Sequence, residues 1–305
     1  METTIQMFAI NRIALGVAAA CWAFSASAQL TVAESMSGLI EVGGSPVAGA
    51  NTPPDTSPIY DTVYTGSPFS SDSFFYGDLA TGTTNVRVLA GDATRARSVL
   101  TYVADVTNNG PTAVDLSFSF FISGGRVSID RYNPLSYEGD ASLKGSITWG
   151  GTSLWGFDID VVGSGGDSGN GFQENIDATY STSGAASDFQ ISDGGDRASY
   201  SAYAKTLGLG LLGAGQTRRL EYTLDAEGFY SGTSDTDFYG YGGQAIVGAF
   251  DPFDFSGRPE DFTGGIATAP IPEPETYAML GIGLGVVALA RRRRRRGESP
   301  GAHPR

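Results

Sequence analysis

The sequence predicts an all-β protein, an antiparallel β-sandwich, and three observations carry that expectation. Apolar and polar residues alternate in short runs, most clearly where Val114, Leu116, Phe118, Phe120 and Ile122 share one parity. Period two sustained over such a run puts one face of an extended strand in a core. The runs are separated by Gly, Asn, Asp, Ser and Pro, and the 305 residues include 43 glycines, enough for a turn after nearly every run. No stretch before Tyr277 repeats its apolar residues with the helical period. Short strands, glycine-rich turns and few charges together read as a sandwich of jelly-roll or immunoglobulin-like kind.

Residues 1–28 have the order of a secretory signal peptide. Arg12 precedes an apolar run from Ile13 to Phe24, and Ala26 and Ala28 are the small residues a signal peptidase accepts before cleavage at Gln29. Cys21 lies within this leader and is the chain's one cysteine, so a cleaved chain has no disulfide and no thiolate metal site. Residues 29–80 are richer in Pro, Ser, Thr and Gly, as in "GANTPPDTSP", and read as an irregular N-terminal arm or an edge of the sandwich.

The sandwich body is expected over residues 81–261. In "SVLTYVADV", Leu100, Tyr102, Ala104 and Val106 point one way, and the following "NNGP" suggests a hairpin into the Val114–Ile122 run. In "SLKGSITW" the inward residues are Leu143, Ile147 and Trp149. In "SLWGFDIDVVG" they are Trp155, Phe157, Ile159 and Val161, with Asp158 and Asp160 on the other face. Leu220, Tyr222 and Leu224 repeat the pattern, and the continuous apolar run in "QAIVGAFD" suits a central strand. Residues 262–270 read as a linker.

Charge narrows the function classes. In residues 29–270, acids outnumber bases by 18. Such a surface repels nucleic acid, so no nucleic-acid partner is expected. The one histidine, His303, lies outside the body, which therefore lacks the commonest general base and transition-metal ligand. The Gly-Asp-Ser-Gly at Gly166–Gly169 matches the surroundings of the trypsin-like nucleophile, but no histidine is available to take the serine proton. No catalytic constellation is expected and no cofactor apart from calcium as a candidate. Asp167 with Asn170, and Asp193 with Asp196, are oxygen-rich loop clusters of the sort calcium uses, though neither has EF-hand spacing. Asp158 and Asp160, two apart on a strand, stand about 7 Å apart on one face, a separation a glycosidase pair can use and any solvated strand also produces. Phe238, Tyr239 and Tyr241 in a glycine-rich loop could stack on sugar rings.

The end of the chain has three parts in order: Pro272-Glu273-Pro274, the uncharged run Tyr277 to Ala290, and Arg291, Arg292, Arg293, Arg294, Arg295 and Arg296. As a helix the apolar run would measure about 21 Å at about 1.5 Å per residue, short of a hydrocarbon core of about 30 Å. Arginine stems can lie along the membrane edge while their guanidinium groups reach the headgroups, and the positive block stays on the cytoplasmic side. The arginines therefore act as a stop to translocation. Residues 271–296, followed by a 297–305 tail, resemble the PEP-CTERM sorting signal. That resemblance implies a Gram-negative bacterial protein, exported through the inner membrane and processed near Pro272–Pro274 by an exosortase. It implies a transient membrane anchor and a destination at the cell surface or in an exopolysaccharide or biofilm matrix. The expected role is non-enzymatic, structural or adhesive, with exopolysaccharide as a candidate partner. The alternatives are a secreted carbohydrate-active enzyme using an Asp/Glu pair and a calcium-stabilised carbohydrate-binding module.

Overall fold

The computed structural model describes residues 29–52, 58–65, 71–78, 81–91, 93–131, 134–234, 243–249 and 262–268. They form two β-sheets packed face to face. The first has seven strands, all antiparallel. From one edge these are β11 (Phe172–Gly184), β10 (Thr152–Asp167), β9 (Pro134–Trp149), β15 (Thr217–Ser234), β6 (Thr94–Asn108), β1 (Leu30–Val42) and β2 (Ser45–Thr52). The second sheet runs β12 (Ile191–Asp193), β13 (Arg197–Tyr200), β8 (Gly125–Arg131), β16 (Gly243–Ala249), β5 (Thr83–Ala90), β4 (Ser71–Asp78) and β3 (Ile59–Thr65). A short parallel bridge from β5 adds β7 (Val114–Ile122), which lies between β14 (Tyr203–Leu212) and β17 (Gly265–Thr268). The one helical element among the described residues is a 3₁₀ turn at Ala185–Asp188.

The alternating runs fold as their parity dictates. Leu100, Tyr102, Ala104 and Val106 are buried, as are Leu143, Ile147, Trp149, Trp155, Phe157, Ile159, Val161, Leu220, Tyr222 and Leu224. Between the sheets, the Tyr102 ring of the first stacks on the Phe118 ring of the second, with centroids 5.6 Å apart. Trp155 is fully buried and lies 4.9 Å from Phe120, 5.3 Å from Phe157 and 6.0 Å from Phe189. β9 turns into β10 through Gly150 and Gly151, whose φ angles of 57° and 79° favour glycine and close a two-residue hairpin. β16 is central, paired with β8 and β5.

Three expectations change. "NNGP" does not close a hairpin: β6 pairs with β1 and β15 in one sheet, whereas β7 pairs with β14, β17 and β5 in the other. Asn108 explains the crossover. Its side chain is buried, donates from Nδ2 to the carbonyls of Thr112 and Leu212 at 2.7 and 2.9 Å, and accepts from the Gly110 N–H at 2.9 Å. These bonds tie the turn to β14, across the sandwich. Next, the described residues of 29–80 form no irregular arm: they hold β1 to β4, of which β2 and β3 lie at the sheet edges as the alternative expectation had it, while β1 is an interior strand paired with β6 along its whole length. Finally, within the expected linker, Gly265–Thr268 is strand β17, hydrogen-bonded to β7. The Phe262 ring lies tilted beside that of Phe121, with centroids 6.4 Å apart, and Gly264 passes so close to Gly82 that a Cβ on Gly82 would lie 2.5 Å from the Gly264 Cα.

Candidate functional site

The outer face of the seven-stranded sheet holds the Asp158–Asp160 pair. β10 puts both carboxylates on that face because residues two apart on a strand share a side. Lys144 of β9 is the direct cross-strand neighbour of Asp158 and also of Asp225. Its Nζ lies 3.0 Å from Asp158 Oδ2 and 3.8 Å from Asp160 Oδ1. Burial, and then the neighbouring Asp158 carboxyl, raise the pKa of Asp160 above its ordinary carboxylate value. One lysine thus bridges both acids on an open sheet face.

This bridge is one step in a row of alternating charge. Across the neighbouring strands β10, β9, β15, β6 and β1 stand Asp158, Lys144, Asp225, Arg97 and Glu41. Arg97 makes a two-pronged contact with Asp225, at 2.8 Å from Nε and 2.6 Å from Nη2, and its Nη1 lies 3.3 Å from Glu41. Its guanidinium is held still more firmly protonated by the hydrogen bonds to Asp225. Beside this row, Arg95 bonds both oxygens of Asp140 and contacts Glu227. At the far end of β6, Arg219 clasps Asp105 through two bonds of 2.9 and 2.7 Å. The sequence shows each of these residues on an outward parity, but it does not show the strand order that lines them up.

The calcium candidates are hairpin tips. Asp167 ends β10, and its Oδ1 accepts from the Gly169 N–H at 2.8 Å. Ser168 closes the same turn by donating from its N–H to the Gly171 carbonyl at 3.3 Å. This is also where the Gly-Asp-Ser-Gly stretch falls. Asn170 is exposed at that tip. Asp193 caps the β12–β13 turn by accepting from the Gly195 N–H at 2.6 Å. The two tips approach the same guanidinium: Arg131 lies 2.6 Å from Glu174 on β11 and 3.9 Å from Asp196. Glu174 also accepts from the Tyr137 hydroxyl at 2.5 Å. Two of the four candidate side chains are thus turn caps, and Asp196 faces a cation that the protein itself supplies. Among the described residues, no three His, Cys, Asp or Glu side chains converge as a metal-holding group.

Ala26 and Ala28, the loop aromatics Phe238, Tyr239 and Tyr241, Pro272, Glu273 and Pro274, and Arg291 to Arg296 lie outside the described residues. Among the described residues no helix is long and apolar enough to cross a membrane. The structure does describe what leads to the sorting segment: β17, sewn onto β7 four residues before Pro272.

The class these features define is an exported all-β protein with its address written at the C-terminus. Residues 270–295 match the family model of the PEP-CTERM protein-sorting motif. The match takes in Pro272-Glu273-Pro274, the apolar run and the arginines as far as Arg295. The motif marks a protein exported, anchored for a time in the membrane and handled by an exosortase. No curated protein matches the chain significantly.

Proposed function

We propose that the body is a non-enzymatic structural or adhesive component of the cell surface or extracellular matrix, released from its anchor by the exosortase and in contact with exopolysaccharide. The observation that carries this reading is the matched sorting segment, joined through β17 to an acidic sandwich whose outer carboxylates are already bridged by Lys144, Arg97 and Arg95. Carboxylates engaged in this way on an open face give a polar surface suited to contact with hydrated polymer. The test is fractionation of the native host, with mass spectrometry of the mature ends. The expected product is matrix-associated, begins at Gln29 and ends near Pro274. An intact chain in the cytosol, with leader and arginines attached, overturns the reading.

A second reading has one observation in its favour. The raised pKa of Asp160 beside Asp158 is what a general acid requires, so a secreted carbohydrate-active enzyme is the alternative. The purified protein incubated with host exopolysaccharide separates the two. Release of reducing ends by the wild type, abolished in Asp160→Asn, establishes the enzyme. Binding without hydrolysis supports the structural role.

A further inference from the structure

β11 is the long edge strand of the first sheet, and among the described residues its only blunting devices are the charges of Glu174, which pairs with Arg131, and Asp177. It pairs with β10 through all thirteen of its residues without a register shift, and among the described residues no strand pairs with its other side. Eleven of the thirteen are exposed, and only Ile176 and Ala178 are half-buried. Its side chains include Phe172 at 41% and Tyr180 at 50% exposure, with no proline and no lysine. The sheet's other edge is protected in the usual ways: β2 has eight residues, carries Pro46 and meets a register shift at Ile40/Glu41. At the second sheet's β12 end the edge strand is only three residues long. An edge of this length with so little protection is a template for another strand.

The sequence of β11 specifies which strand. Ala178 is the midpoint of Phe172–Gly184. We propose that a second copy of this chain pairs there, antiparallel and about a two-fold axis through Ala178, continuing the seven-stranded sheet across the dimer. In this register Ile176 faces the partner's Tyr180, and Tyr180 faces the partner's Ile176. Asp177 faces the partner's Thr179, Asn175 the partner's Ser181, and Glu174 the partner's Thr182. Phe172 covers the partner's Gly184. Two aliphatic–aromatic pairs flank the axis, and no like charges meet. An axis moved to Asp177 sets two carboxylates against each other, and one moved to Thr179 separates Ile176 from the partner's Tyr180. Only the Ala178 register uses all thirteen residues of both strands. A two-fold closes on itself, whereas pairing of β11 with the blunted β2 of another copy would build open filaments.

The experiment uses the full chain in detergent, with Cys21→Ser to leave no native thiol. Ala178→Cys on this background is treated with a short bismaleimide, and Thr182→Cys serves as control. Across the proposed axis, the control positions stand about 27 Å apart at about 3.4 Å per residue. Ala178→Cys is expected to give a covalent dimer, and Thr182→Cys none unless mixed with Glu174→Cys chains. Sedimentation of the unmodified chain is expected to show dimer. Ala178→Arg, which sets two guanidinium groups face to face, is expected to weaken association about tenfold or more while the circular dichroism spectrum stays that of the folded sandwich. A monomeric wild type, equal self-linking at both positions, or a ladder of higher oligomers overturns the proposal.

Discussion

The two faces of β10 make the sharpest comparison in the molecule. Trp155, Phe157, Ile159 and Val161 face inward and are almost completely buried. Asp158 and Asp160, the residues between them, face outward onto Lys144. Trp155 touches rings from both sheets, Phe120 and Tyr203 on one side and Tyr222 on the other, so its loss leaves a void the sandwich cannot easily close. The outward groups are partly hydrated, and their ion pairs contribute on the order of 1 kcal/mol or less each. Folding rests on the inner face, and the outer face is correspondingly free to change with function.

The largest effect is expected inside. Trp155→Ala removes the ring that Phe120, Phe157, Phe189, Tyr203 and Tyr222 surround. It should cost about 3–5 kcal/mol and lower the melting temperature by roughly 10 °C or more, measured by circular dichroism. A change of a degree or two would mean that the inner cluster is not the core.

The next effect is a loss of stability in alkali. Burial raises the hydroxyl pKa values of Tyr200 and Tyr222 well above their ordinary value of 10.0, and that of Tyr230 to about 12. Tyr102 and Tyr137 are also raised, by burial first and then by the acids Glu34 and Glu174. These groups keep their protons folded at pH values where the unfolded chain has lost them. Stability is therefore intact below pH 10 and falls as pH climbs past it. Melting temperature followed across that range should drop steeply, with a step in phenolate absorbance at unfolding as the buried rings are released, separate from any contribution of exposed rings such as Tyr180. Absence of that step would show the buried rings to be accessible in the folded protein.

A smaller effect is expected outside, and with the opposite sign. Asp160 holds its proton more tightly folded than unfolded, so its contribution to stability falls as pH rises above 3.8. Asp160→Asn should raise the melting temperature at neutral pH by about 1 °C, within the range of surface changes, and the gain should vanish in acid. Destabilisation at neutral pH would mean that the bridge to Lys144 outweighs the crowding of the two acids. Smallest of all is the effect of EDTA, expected to leave the melting temperature unchanged because Asp167 and Asp193 already accept bonds from their own turns. A clear fall would place a cation at the hairpin tips.

Inside and outside were readable residue by residue, since side chains alternate along a strand whatever its neighbours are. Leu143 and Lys144 fall on opposite faces by parity alone. What pairs with what was not readable. "NNGP" carries good turn chemistry, but whether a turn stays within its sheet or crosses to the next depends on where Asn108 finds carbonyls, and one of these belongs to distant Leu212. Lys144 meets Asp158 because β9 and β10 are hairpin partners, but it meets Asp225 only because β15 lies on the other side of β9. Four-residue β17 is too short for alternation to mark it, and it exists through its pairing with β7. The sorting segment was fully legible, because its meaning lies in the order of its parts along the chain.

That last strand also fixes a clearance. Thr268 is stitched to the sheet and Pro272 follows four residues later, so even a fully stretched leash reaches no more than about 14 Å from the edge of the folded body. If the exosortase cuts near Pro272, as the proposed function has it, it cuts almost flush against the sandwich or catches the chain while β17 is peeled from β7. The timing of release would in that case be set by how readily one short strand lets go.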